Sequence, residues 1–128
     1  MEGGIGIMGI FTHTITLISA SGDTGEMMEP LVDTGSIFTV IPTPTLERLG
    51  MRPFRTMPVR FANGHVQQWS LGQMEVELDG QRAPILCFFG SSDALPLIGA
   101  HMLEALLLTV DPVEKKLVPK EALLMHSG

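Results

Sequence analysis

Apolar and polar side chains alternate along several short stretches of the chain. In residues 11–18, Phe, His, Ile and Leu alternate with three threonines and Ile18, and in residues 74–79 Met, Val and Leu alternate with acidic residues. Successive side chains of a strand point to opposite faces, so this spacing indicates strands with one buried and one wet face. Apolar, β-branched runs predict further strands at residues 29–32 and 37–41.

Three turn dipeptides separate further pairs of apolar runs. Asn63-Gly64 and Asp79-Gly80 favour two-residue turns whose twist matches that of the flanking strands, and Asp111-Pro112 marks a closing hairpin. The paired strands are predicted at residues 59–62 and 65–69, 71–78 and 82–89, and 107–110 and 116–118.

Two short segments have helix signals. In residues 43–50, Thr43 can cap the helix, Pro44 suits its first turn and Gly50 can end it. Residues 100–106 place Met and Leu side chains along one side. The whole pattern predicts an all-β fold of many short strands with one or two short helices.

The composition is that of one packed domain, predicted to span residues 1–128 with a core at about 10–118 and an undecided tail at 119–128. Hydrophobic residues make up 45% of the chain and charged residues 17%, which argues against disorder. The net charge is −6 and there is no basic run, which argues against nucleic acid as a partner.

The sequence also predicts a cytoplasmic protein without a membrane partner. No apolar stretch reaches the length of a membrane span, and Glu2 stands where a signal peptide would carry Lys or Arg. Cys87 is the only cysteine, so no intrachain disulfide can form. It lies in an apolar run and is expected to be a buried small hydrophobic residue, not a nucleophile.

The tripeptide Asp-Thr-Gly occurs twice, at residues 23–25 and 33–35. Serine and glycine residues surround Asp23, which is turn chemistry and predicts a hairpin tip. The chain from Met27 to Asp33 is predicted to be extended, which separates the turn from Asp33 by roughly 20 Å at about 3.3 Å per residue. The two acids are therefore not expected to form a carboxylate pair.

Asp33 lies between two apolar strands, where a carboxylate is costly unless it is hydrogen-bonded. The hydroxyls of Thr34 and Ser36 and the amide of Gly35 are the donors that the neighbouring sequence offers. Glycine also lets the backbone pass close to the acid. The alternative is an Asx-type turn that only joins the two strands.

Residues 31–36, Leu-Val-Asp-Thr-Gly-Ser, resemble the active-site loop of retropepsin-like aspartic proteases. Residues 95–99, Leu-Pro-Leu-Ile-Gly, resemble the second signature of that family, just before its helix. The continuation through residue 111 is similar to retroviral-protease-like domains of bacterial proteins and of DNA-damage-inducible proteins. The Asn63-Gly64 hairpin falls where the family has its flap, and order and spacing agree over residues 12–118.

The resemblance implies the acid-protease fold, a closed and mostly antiparallel β-barrel, and a homodimeric endopeptidase acting on peptides or proteins. Asp33 of each chain would activate a water between the two carboxylates, with no metal and no cofactor. Thr34 would bridge the dimer, while Gly35 and Ser36 would hold the carboxylate. The implied catalytic residues are Asp33, Thr34, Gly35 and Ser36. The implied substrate-binding residues are Phe61, Ala62, Asn63, Gly64, His65, Ala94, Leu95 and Leu97.

The sequence departs from the viral pattern in three places. Viral enzymes have an arginine after the second glycine that braces the dimer, where this chain has Ala100-His101. The flap tip has a single glycine, Gly64. The tail at 119–128 need not form the viral end-strand sheet; it can pair across the dimer, form a helix or be disordered.

Two other functions fit the same residues. A catalytically weak or inactive retropepsin-like dimerisation or peptide-binding module would use the same groove. A monomeric barrel could bind a small molecule instead. The four histidines lack metal-ligand spacing to one another, so a metal site is not expected.

Overall fold

The computed structural model describes residues 11–121 of the chain. Within that range, short strands alternate with two short helices, which confirms the mostly β prediction. In chain order the elements are β1 (Phe11–Thr12), β2 (Ile15–Ile18), β3 (Gly25–Met28), β4 (Leu31–Val32), β5 (Thr39–Pro42), α1 (Thr43–Arg48), β6 (Arg55–Arg60), β7 (Val66–Leu78), β8 (Gln81–Gly90), β9 (Leu97–Ile98), α2 (Ala100–Ala105), β10 (Leu108–Asp111) and β11 (Lys116–Pro119).

Nine of these strands form one curled sheet, and β10 and β11 form a separate hairpin. The spatial order is β1-β4-β9-β5-β8-β7-β2-β3, and β6 pairs with β7 outside this path. The pairs β4–β9 and β5–β8 are parallel, whereas the other described pairs are antiparallel. The predicted, mostly antiparallel barrel is therefore confirmed in the form of a half-barrel.

The curling follows from two short links between the ends of the sheet. Residues 13–14 connect β1 to β2, and residues 29–30 connect β3 to β4, although each pair lies near opposite ends of the strand order. A link of two residues contains three Cα–Cα steps and spans at most about 11 Å. The two ends of the sheet must therefore approach each other. The amide of His13 donates to the carbonyl oxygen of Pro30 at 3.1 Å and ties the links together.

The main core lies inside this curl. Met74, Val76 and Leu78 of β7 are buried while Glu75 is exposed, which confirms the alternation that the sequence predicts. Leu46 of α1 and Met102 of α2 are also buried in this core, so both helices close the half-barrel. No helix within residues 11–121 is long and apolar enough to span a membrane.

The two Asx-Gly dipeptides form different turns. Asp79 and Gly80 have φ values of +51° and +81°, the pair of positive angles that the predicted two-residue turn requires. At the other hairpin the strand pairing ends at Arg60 and Val66, and only Gly64 has a positive φ, at +87°. The two-residue turn predicted at residues 63–64 is therefore wrong, and a longer loop takes its place.

Two further predictions of local structure need correction. β7 is one strand of 13 residues, where the sequence predicts separate strands at 65–69 and 71–78. Thr43 does not cap α1; its hydroxyl donates to the carbonyl oxygen of Gly90 at 2.7 Å. Gly50 follows the helix with φ of +82°, as the sequence predicts.

Cys87 is buried in the core with 1% of its surface exposed, so the thiol is a packing group. Burial raises the pKa of this thiol to about 12. At pH 8 only about one thiol in ten thousand would be ionised, and the thiolate is the reactive form. We expect a thiol reagent to label the folded protein negligibly and to label one site per chain in denaturant. Rapid labelling of the folded protein would contradict this placement.

Candidate active site

The two Asp-Thr-Gly triplets lie in different surroundings. Asp23 is exposed in the turn between β2 and β3, where its amide donates to the hydroxyl of Ser21 at 3.3 Å. The predicted hairpin tip is therefore confirmed. Asp33 directly follows β4 and is half-buried. A candidate site thus forms around the second triplet only.

The backbone of the loop holds the Asp33 carboxylate. The amide of Gly35 donates to Asp33 Oδ1 at 3.0 Å, and the amide of Ser36 donates to the carbonyl oxygen of Asp33 at 3.1 Å. A Cβ atom on Gly35 would lie 3.2 Å from the same carboxylate oxygen. Because glycine has no side chain, the Asp33 carboxylate can lie close to the backbone at Gly35, as the sequence predicts.

Ser36 does not bind the carboxylate within its own chain. Its hydroxyl donates to the carbonyl oxygen of Phe38 at 2.8 Å. The expectation that this hydroxyl holds Asp33 is wrong for the single chain, because the serine instead braces the bend that leads to β5. Thr34 lies exposed at the tip of the loop, next to the acid.

The segment formed by β9 and α2 supports the loop from behind. The amide of Asp33 donates to the carbonyl oxygen of Ile98 at 2.9 Å. The first amides of a helix have no partner inside the helix, and here the loop supplies two acceptors. Ala100 donates to Ser36 at 2.8 Å and His101 donates to Ile37 at 2.9 Å, both through main-chain atoms. The second apolar signature thus fixes the loop that carries Asp33.

Thr39 is a positioning residue that the sequence reasoning missed. It is fully buried, and its hydroxyl accepts the amide of Gly99 at 3.1 Å while lying 3.5 Å from the sulfur of Met102. A threonine inside an apolar strand is an ordinary β-former, so the sequence carries no signal of this role. Its contacts join β5 to the start of α2, directly behind the Asp33 loop.

We expect Thr39→Val to lower the free energy of unfolding by about 1–3 kcal/mol, because the Gly99 amide loses its acceptor in a buried site. Urea unfolding at fixed protein concentration measures the loss, and amide hydrogen exchange at Gly99 should speed up. Thr39→Ser keeps the hydroxyl and should keep the Gly99 amide protected. Equal protection in the valine and serine variants would contradict this role.

A hairpin arm, residues 55–70, projects beyond the sheet. Residues 66–70 of β7 pair only with β6, whereas residues 71–78 pair with β8 in the body of the sheet. Residues 60–68 are exposed. The tip is ordered by its own bonds: Gly64 donates to Phe61 at 2.8 Å through the main chain, and the Arg60 guanidinium donates to the Gly64 carbonyl oxygen at 3.2 Å.

The underside of the arm packs on a second apolar cluster, which we call the groove cluster. Its buried members are Val40, Leu71 and Phe88. Its half-buried members are Phe38, Met57, Val59, Trp69, Leu86, Ala94 and Leu97. Leu97 precedes Ile98, whose carbonyl holds the Asp33 loop, so the cluster runs from the arm to the loop.

The implied substrate-binding residues fall on two of these features. Phe61, Ala62, Asn63, Gly64 and His65 form the exposed tip of the arm, and Ala94 and Leu97 belong to the groove cluster. Leu95 lies beside them with 65% of its surface exposed.

Two solved structures that match this arrangement come from foamy viruses. The solution structure of simian foamy virus (mac) protease matches with a TM-score of 0.53 and 16% sequence identity, over 73% of this chain and 92% of the viral one. The chain has a retropepsin-like fold. At this identity the likeness concerns the fold alone.

A second match is the foamy viral protease-reverse transcriptase, whose structure was solved in complex with an RNA/DNA hybrid. Its TM-score is 0.53 with 13% identity, over 88% of this chain and 13% of the viral chain. This chain therefore spans only a small part of that protein. No protein-family model matches the sequence, and no curated protein matches it.

In this retropepsin-like fold, α2 begins with Ala100-His101, the pair that stands where the viral pattern has arginine. The His101 ring lies edge-on to Phe38, with centroids 5.6 Å apart. Within residues 11–121, no group of three or more His, Cys, Asp or Glu side chains could hold a metal ion.

Proposed function

We propose that the chain is a homodimeric aspartic endopeptidase in which two copies of Asp33 activate one water. The observation that carries the proposal is the Asp33 loop, whose carboxylate is fixed by the Gly35 amide and whose backbone is fixed by β9 and α2. The likeness of the fold to simian foamy virus protease supports it.

The second acid has to come from another chain. The loop region 31–42 and the segment 95–103 packed behind it contain no acidic residue besides Asp33. A twofold dimer places the same surface of each subunit against its copy, so one acid becomes two. Thr34 and Ile37 support this arrangement, because both are exposed on the loop that follows Asp33 and Ile37 has 71% of its surface exposed.

The mechanism follows from placing two carboxylates in contact. Both cannot ionise cheaply, so they share one proton. The ionised carboxylate takes a proton from the water, whose oxygen attacks the peptide carbonyl carbon while the protonated carboxyl donates a hydrogen bond to the carbonyl oxygen. The C–N bond then breaks as the amine nitrogen receives a proton. No covalent enzyme intermediate forms.

The arm and the groove cluster are the proposed peptide site. An extended peptide would lie between the arm tip and the Asp33 loop, and closure of the tip would exclude water. The apolar lining by Ala94, Leu95 and Leu97 would favour apolar substrate side chains.

The single cysteine supports a cytoplasmic location.

A mixed peptide library tests the proposal. We expect internal cleavage of peptides between acid and neutral pH, detected by mass spectrometry, with inhibition by a peptide isostere that carries a hydroxyl in place of the scissile carbonyl. A chelator and serine-directed reagents should have no effect. If the protein is dimeric by sedimentation and cleaves no peptide across this pH range but binds the isostere, the peptide-binding module is the better description.

A further inference from the structure

Five rings form a continuous chain of contacts from the arm tip to the back of the Asp33 loop; we call it the ring stack. Phe61 and Trp69 lie 5.9 Å apart, Trp69 and Phe88 5.4 Å, Phe88 and Phe38 5.3 Å, and Phe38 and His101 5.6 Å, measured between ring centroids. The contacts from Trp69 onward are edge-on, an arrangement that aromatic rings favour.

Trp69 is the link between the arm and the body of the sheet in this stack. It sits on the half of β7 that pairs only with β6, whereas Phe88 belongs to β8 in the body of the sheet. Its indole N–H donates to Gln67 Oε1 at 3.0 Å, so the polar group is satisfied within the arm. The ring itself is thereby left to contact Phe61 and Phe88.

The arm has few other supports near its tip. Met57 and Val59 of β6 also pack on the groove cluster, but both lie nearer the base than Phe61. Phe61 has 37% of its surface exposed, and it is the residue of the tip whose ring contacts Trp69. The contact between Phe61 and Trp69 is therefore the aromatic contact that ties the tip to the rest of the stack.

We infer that Trp69 is a positioning residue: through Phe61 it holds the arm tip in its resting position against the groove cluster, and through Phe88 and Phe38 it couples movement of the tip to His101 behind the Asp33 loop. The part of the inference that concerns peptide rests on the proposed endopeptidase function. The resting position itself does not. Breaking one aromatic pair should raise the population of displaced arms by about two- to tenfold.

The first test needs no substrate. Trp69 is the only tryptophan and the chain has no tyrosine, so intrinsic fluorescence reports this ring alone. Phe61→Leu should shift the Trp69 emission to longer wavelength and speed amide hydrogen exchange at Phe61 and Gly64 by about two- to tenfold. Phe61→Tyr keeps a ring and should restore both, with the emission excited at a wavelength that only tryptophan absorbs. Phe54→Leu, an exposed position outside the stack, is the matched control and should change neither.

The second test is kinetic and uses a peptide that the parent cleaves. Trp69→Leu should raise KM by about two- to tenfold with kcat within about twofold of the parent, because the arm must be ordered on binding. Trp69→Phe keeps a ring and should restore KM. If Trp69→Leu proves unstable, the fluorescence and exchange of Phe61→Leu still decide whether the ring contact positions the tip.

The outcomes separate the two proposals. A loss of kcat with unchanged KM, or Phe61→Leu fluorescence and exchange equal to those of the parent, would overturn the role of Trp69. If the parent cleaves no peptide, the proposed function fails, while the fluorescence and exchange results still decide whether the stack positions the arm.

Discussion

Asp33→Asn should abolish peptide cleavage, whereas Asp23→Asn should leave it close to that of the parent. Asparagine has nearly the shape of aspartate and can still accept the Gly35 amide, but it cannot take a proton from water. We expect kcat/KM to fall by at least about a thousandfold, a loss in the range of a general base. The measurement is kcat/KM on one peptide, with the folding of each variant checked by circular dichroism.

The second triplet makes this comparison unusually well controlled. Asp23 has the same two following residues as Asp33 but lies exposed in a turn, away from β9 and α2. If the two variants lost activity equally, or neither lost it, the assignment of the site to Asp33 would be wrong.

Gly99→Ala should be among the most destabilising single substitutions in the described part of the chain. A Cβ atom at Gly99 would lie 2.6 Å from the carbonyl carbon and oxygen of Phe38 and 2.9 Å from the carbonyl oxygen of Ile37. These are backbone atoms, so relief requires moving the Asp33 loop away from α2. We expect a loss of at least about 3 kcal/mol in the free energy of unfolding, together with loss of cleavage.

Gly22→Ala is the control for replacing a glycine by alanine. A Cβ there meets no atom within 4 Å, and its φ of +82° predicts a cost of only about 1–2 kcal/mol. Urea unfolding of both variants at one protein concentration gives the comparison. A Gly99→Ala variant that is as stable as Gly22→Ala would show that the Asp33 loop does not depend on close packing against the start of α2.

The sequence predicts the fold well because its signals are local and periodic. Alternation marks the faces of β7, and Asp79-Gly80 marks the tight turn after it. The neighbours of the two triplets also separate them: turn residues surround Asp23, and apolar runs flank Asp33. The order of these signals along the chain is what allows the fold to be predicted.

What the sequence does not predict depends on contacts between distant residues. Ser36 and Thr39 look like any hydroxyl residue in a strand-rich chain, and their partners become visible only when β5, β9 and α2 come together. In the loop at residues 61–65, which replaces the predicted turn, the Asn63 side chain accepts the His65 amide at 2.9 Å, a bond that the dipeptide pattern does not encode.

The central claim is that each active site needs Asp33 from two chains, and mixing subunits tests it most directly. Parent protein is unfolded and refolded with a tenfold excess of Asp33→Asn, or of Asp23→Asn as control, and a tag on the variant confirms that subunits have mixed. Random pairing leaves on the order of a tenth of the parent chains in parent dimers. The account predicts that cleavage falls to about that level with Asp33→Asn and does not fall with Asp23→Asn. Unchanged parent activity in a proven mixture with Asp33→Asn would contradict it.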